Sequence, residues 1–102
     1  MSSVKAYSQM ITAVVDQGAW DEVYFSLLSM KSQLQSLPGW QNFEMWANSM
    51  EPDAVRLVVI TSWDEPDQLE VWMQNQTSVD AILRAMLPPP RTMDVDVYEE
   101  IL

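Results

Sequence analysis

The chain has no cysteine, no histidine and only two glycines, and its five basic residues face fifteen acidic ones. Without cysteine there is no disulfide framework, zinc–thiolate site, iron–sulfur cluster or thiol nucleophile. Without histidine there is no Ser-His-Asp triad and no usual haem ligand. The side chain that most often moves protons near neutrality is also missing. A metal site would need oxygen ligands alone, of the calcium or magnesium type. Asp94 and Asp96 supply only a pair, which is a poor site, so neither metal nor cofactor is predicted. The net charge of −10 and a pI near 4.1 leave no basic face for a nucleic-acid backbone or an anionic membrane. The longest apolar run, Leu57-Val58-Val59-Ile60, is far too short to span a bilayer. The N-terminus lacks an apolar signal segment, so a soluble cytoplasmic protein is expected.

What is present is a globular composition. Apolar residues make up 48% of 102 residues, enough for one domain over 1–102 with its own core. Tyr7 to Val15 is β-compatible, and Asp16-Gln17-Gly18 reads as a turn. Trp20, Val23, Leu27, Met30, Leu34 and Leu37 recur at three- and four-residue steps, which predicts an amphipathic helix. Asp21 and Glu22 fit its first turn, and Leu37-Pro38-Gly39 stops it. Trp40 to Ser49 alternates, with Phe43, Met45 and Ala47 opposite Asn42, Glu44, Trp46 and Asn48. Met50-Glu51-Pro52-Asp53 is the predicted turn. In the following strand Val55, Leu57, Val59 and Trp63 share one face, with Val58 and Ile60 on the other.

A second helix is predicted from Asp64-Glu65-Pro66-Asp67, with Leu69, Trp72 and Met73 on its apolar side. Asn75-Gln76 interrupts it, and Thr77 is the expected new cap, with Asp80 three residues on. Pro88-Pro89-Pro90 ends the apolar face of Ile82, Leu83, Met86 and Leu87. Thr92 to Tyr98 alternates as a last strand. The order β-α-β-β-α-β predicts an α+β, ferredoxin-like fold with a four-stranded antiparallel sheet and both helical segments on one face. The third strand is apolar on both faces. A homodimer packed sheet to sheet would bury the second face; the alternative is a monomer whose own long side chains cover Val58 and Ile60.

Leu37-Pro38-Gly39-Trp40 and the stretch from Ile60 through Thr61-Ser62-Trp63-Asp64-Glu65-Pro66-Asp67 to Trp72 resemble the antibiotic biosynthesis monooxygenase superfamily, the dimeric α/β-barrel proteins. The likeness lies in a strand-end tryptophan, a short acidic turn with proline, and a helix with a second tryptophan nine residues on. It implies a ferredoxin-like dimer. It also implies, for some members, oxidation of aromatic polyketides such as anthrones by oxygen without metal or flavin. Trp63 matches the tryptophan that lines the family's pocket. Other members degrade haem with a helix histidine and a first-strand asparagine. This chain has no histidine, and its first strand reads Tyr7-Ser8-Gln9-Met10, so the resemblance does not extend to haem degradation.

The candidates for catalysis are Trp63 and Glu44. Trp63 could stack an aromatic substrate, or simply anchor the sheet to the second helix. Glu44 would be a general base if buried beside Trp46, and a surface carboxylate if exposed. Trp46, Trp72, Tyr7, Gln9, Tyr24 and Arg84 are the candidates for substrate binding. A tyrosine hydroxyl could hold a quinone oxygen, and an arginine could stabilise an enolate. Arg84 could equally pair with Asp80 one helical turn away. Two functions follow. One is a cofactor-independent monooxygenase acting on an anthrone- or quinol-like aromatic. The other is a non-catalytic dimeric domain that binds an apolar or aromatic metabolite or has a purely structural role. A closed, polar-lined cavity at Trp63 would favour the first, and a cavity filled by methionines the second.

Overall fold

Four antiparallel strands in the order β2-β3-β1-β4 form one sheet, from β1 (Tyr7–Asp16), β2 (Trp40–Glu51), β3 (Ala54–Trp63) and β4 (Thr92–Glu99). The computed structural model describes residues 5–102. Three helices complete the fold: α1 (Trp20–Leu34), α2 (Pro66–Gln74) and α3 (Val79–Arg84), with a short 3-10 turn at Gln17–Ala19. This is the ferredoxin-like arrangement that the element order predicts.

One face of the sheet is covered. Ile11, Ala13 and Val15 of β1 and Val55, Leu57, Val59 and Trp63 of β3 are buried there. They meet Val23, Leu27, Met30 and Leu34 of α1, Leu69 and Trp72 of α2, and Val79 and Leu83 of α3 in one core. Each fully buried aliphatic or aromatic side chain contributes about 1.5–3 kcal/mol. The helical stripe predicted for α1 is therefore the side that packs, while Trp20 and Leu37 are partly buried at its ends.

Two local features differ from the sequence reading, and a third decides the face of Trp40. β2 continues to Glu51, so the turn contracts to Pro52 and Asp53. The cap of α3 is Ser78 rather than Thr77: Thr77 donates to Asn75 Oδ1 from both its N–H and its hydroxyl, at 2.8 and 2.7 Å. Ser78 Oγ lies 2.8 Å from Asp80 Oδ1. Finally, the β2–β3 register shifts between Trp40 and Asn42. This irregularity turns Trp40 into the core beside Trp63, whereas unbroken alternation would place it with Trp46.

The second face of the sheet is open. Ser8, Met10, Thr12 and Val14 of β1 lie beside Arg56, Val58, Ile60 and Ser62 of β3. Asn42, Glu44, Trp46 and Asn48 of β2 flank them on one side, and Asp94, Asp96 and Tyr98 of β4 on the other. Val58 and Ile60 are half-buried within the single chain, and Trp46 is 62% exposed.

Candidate functional site

The end of the sheet where β1 begins and β3 finishes gathers most of the aromatic residues of the core. Trp63 closes β3 and pairs with Tyr7 on β1 and Trp40 on β2. Trp72 comes down from α2, and its ring sits 5.9 Å from that of Trp63, tilted by 35°. Both indoles are at least 98% buried. A hinge of backbone fixes this corner. Gly39, with φ +80°, occupies a conformation that disfavours any residue with a Cβ. Its carbonyl accepts the Asp64 N–H at 2.8 Å, which ties the end of α1 to the end of β3. A Cβ on Gly39 would collide with the Gln68 side chain. Gln68 Oε1 is needed where it is, accepting the Glu65 N–H at the start of α2 at 3.1 Å.

Between Leu37, Pro38 and α2 a cleft of about 230 Å³ opens to solvent. Its inner wall is Trp63 and Trp72, and Asp67, Gln68, Val71 and Asn75 form the helical side. No methionine lines it. It is open and mostly apolar in its lining, and it is not filled by the protein's own side chains, so it meets neither the closed, polar-lined expectation nor the methionine-filled one.

Six buried polar atoms toward this end of the sheet have no hydrogen-bond partner among the described residues, and of their residues Trp63 and Trp72 line the cleft. The six are both amide atoms of Gln9, the Thr61 hydroxyl, and the indole nitrogens of Trp40, Trp63 and Trp72. Gln9 and Thr61 are direct cross-strand partners, each 1% exposed, on the helix-covered face. Trp63 stands two residues along β3 from Thr61, about 7 Å away at strand spacing. A buried polar group left unpaired costs about 1–3 kcal/mol, and each such group calls for an explanation in a ligand, ion or water. The set is rich in N–H donors and carries no formal charge, which matches an oxygen acceptor on an otherwise apolar molecule.

The sequence candidates separate into two groups. Trp63, Trp72, Gln9 and Tyr7 come together at this end. Tyr7 titrates above the ordinary tyrosine range, first because its hydroxyl hydrogen-bonds to Glu99; burial and the charges of Glu99 and Glu65 add to this. Glu44 and Trp46 lie on the open face, away from the cleft. There the Glu44 carboxylate accepts hydrogen bonds from Asn42 Nδ2 at 2.8 Å and Trp46 Nε1 at 3.3 Å. Tyr24 is 41% exposed on α1, between Trp20 and Phe25. Arg84 takes the helical pairing, 3.9 Å from Asp80. Thr61 and Trp40 belong to the polar cluster without having stood out in the sequence. Thr61 reads as an ordinary strand residue until its pairing with Gln9 is known. Among the described residues no three carboxylates converge in a way that would hold a metal ion, and no helix is long and apolar enough to cross a membrane.

No family model matches the sequence, and no curated protein does. Solved structures do match. A Nitrosomonas europaea protein assigned to the antibiotic biosynthesis monooxygenases superimposes with a TM-score of 0.75 at 11% identity, covering 99% of this chain and 95% of its own. SnoaB of Streptomyces nogalater, described as a cofactor-independent oxygenase, gives 0.66 at 12% identity, covering 94% and 92%. A haem-degrading protein of Mycobacterium tuberculosis gives 0.66 at 15% identity, covering 98% and 96%. At such identities the likeness establishes the fold: this chain is built as the antibiotic biosynthesis monooxygenase proteins are.

Proposed function

We propose that the chain binds a small planar aromatic bearing ring oxygens, anthrone- or quinol-like, at the Trp63 end, and oxidises it with molecular oxygen without a cofactor. The observation that carries this reading is the set of uncharged, unpartnered buried polar atoms at the sheet end where Trp63 and Trp72 wall a cleft. Trp63 and Trp72 supply flat apolar contact. Entry of the ligand past them would bring a ring oxygen to the Gln9 amide and the Thr61 hydroxyl. Those donors favour charge that develops on that oxygen as the substrate ionises. The one carboxylate in the cleft's lining is the exposed Asp67, so the substrate's proton leaves to Asp67 or to the water that reaches it. With an anthrone, the ring methylene gives up both hydrogens, one atom of O2 becomes the new carbonyl oxygen, and the other leaves as water. The protein's part is positioning and exclusion of side reactions. SnoaB, with the same fold, is named for such cofactor-independent chemistry.

The openness of the cleft favours the second reading, a non-catalytic domain that holds an aromatic metabolite. Oxygen uptake and calorimetric binding, measured with anthrones and naphthoquinols, separate the two. Uptake that falls several-fold in Trp63→Phe supports the oxygenase. Binding without uptake supports the carrier, and neither binding nor uptake removes the site.

The open face carries the partner reading: a homodimer through Met10, Val58, Ile60 and the exposed Trp46. Face-to-face packing of such sheets is a stable architecture. Val58→Lys is expected to halve the mass in solution; an unchanged mass would rule out this interface.

A further inference from the structure

We propose that the Trp63–Trp72 cleft selects its ligand by charge, taking a planar aromatic that is neutral or cationic and rejecting an anion. This rests on the binding reading above and narrows the ligand class. The cleft's walls hold one charged side chain, Asp67, and no basic one. Asp67 is exposed on the first turn of α2. A helix N-terminus ordinarily favours an anion, but here Glu65 at the cap and Asp67 just inside it already answer that dipole. Asp64 follows Trp63 directly, with its carboxylate 2.6 Å from Gln41 Nε2. Glu99 and Glu100 close β4 at the same end, where Glu99 pairs with Tyr7 and Glu100 accepts the Ala6 N–H at 3.1 Å.

The cations lie elsewhere or are few. Arg91 is held at the opposite end of the sheet by Asp16 and Asp53, and Arg84 pairs with Asp80. Lys31, exposed in the last turn of α1 six residues before Leu37, and Lys5, just before β1, are the basic residues nearest in sequence to this end, and neither lines the cleft. The two indoles that wall the cleft are nine-tenths buried, and the acidic rim opposes a ligand that arrives as an anion, while negative charge that develops on a bound ring oxygen is met further in by uncharged donors. In water-like surroundings one carboxylate about 7 Å away changes the affinity for a charged ligand about threefold. Asp67 together with its acidic neighbours amounts to about tenfold at low salt, and less when screened.

The test uses the full chain and calorimetric titration with three naphthalenes of equal size, bearing a hydroxymethyl, an aminomethyl (ammonium) or a carboxylate group. The neutral and cationic probes are expected to bind, with the carboxylate at least about tenfold weaker than the neutral one. Added salt should narrow that gap, and Asp67→Asn should narrow it about threefold. Trp72→Ala should abolish binding of the neutral and cationic probes together. A carboxylate probe that binds as well as the neutral one overturns charge selection and leaves the cleft standing. A cation that still binds Trp72→Ala is held by the acidic surface alone and overturns the cationic half of the proposal. If none of the three binds, the aromatic-binding reading itself falls.

Discussion

The two ends of the sheet treat their polar groups in opposite ways. At the end where β1 leaves the sheet and β4 enters, Arg91 donates to the Asp16 and Asp53 carboxylates and to the Asp53 carbonyl. Its own N–H reaches the Val14 carbonyl at 2.7 Å, and the Gln17 N–H reaches the Asp53 carbonyl at 2.8 Å. These groups are solvent-accessible, yet they are paired. At the Trp63 end the backbone joints are paired too, but six side-chain polar atoms of Gln9, Thr61, Trp40, Trp63 and Trp72 are buried and have no partner among the described residues. Water would satisfy Arg91 at little cost, so its pairs are a joint between three strands. Water-shielded amide and indole groups have no such recourse. Unpaired polar groups in the interior call for a partner, a ligand or a water, while the paired groups at the surface join strands.

Perturbing each end separately sharpens this contrast. The largest effect is expected from Trp63→Ala, which removes a fully buried indole from the junction of sheet and α2. Urea unfolding should show a loss of about 3–5 kcal/mol; a loss below about 1 kcal/mol would mean that Trp63 does not anchor the core. Gly39→Ala forces a side chain into a positive-φ position and displaces Gln68 from the start of α2. Strain and the lost cap together amount to about 2 kcal/mol, and aromatic binding should weaken because Gln68 lines the cleft. Arg91→Ala should cost about 1 kcal/mol or less, since the side chain is 39% exposed and its pairs are screened. That loss should shrink with salt and leave ligand binding unchanged. The smallest effect concerns pH. Tyr7 holds its proton more tightly in the folded chain, so its contribution is complete below the ordinary tyrosine value of 10.0 and is lost as pH rises through the raised one. Glu99→Ala should bring the Tyr7 midpoint down toward that value. Phenolate absorbance in a Tyr24→Phe, Tyr98→Phe background reads this directly.

Much of the fold was legible because it rests on periodicity. The α1 stripe, the two-faced third strand and the break at Asn75-Gln76 are all patterns of apolar spacing, and burial follows spacing. Alternation alone leaves the face of Trp40 open, because a strand irregularity resets it and leaves no mark in the residues themselves. The site was legible only in pieces. Trp63 and Trp72 stand out by size, and Gln9 as a polar residue in an apolar strand. That Gln9 meets Thr61 depends on the β1–β3 register, and that neither finds a partner depends on the whole packed end. Glu44 drew notice because an acid beside a tryptophan is a reasonable base. The register puts it across the sheet from the cleft, where two neighbouring donors occupy its oxygens.

The most direct test of the account is the urea-unfolding free energy of Gln9→Leu, measured beside the parent chain without ligand. If the Gln9 amide is kept for a ligand, an apolar side chain of similar size relieves its unpaired atoms. Stability should then stay level or rise, by up to about 1–3 kcal/mol. A loss of 1 kcal/mol or more would show that the amide serves the fold, and would contradict the reading of this end as a binding site.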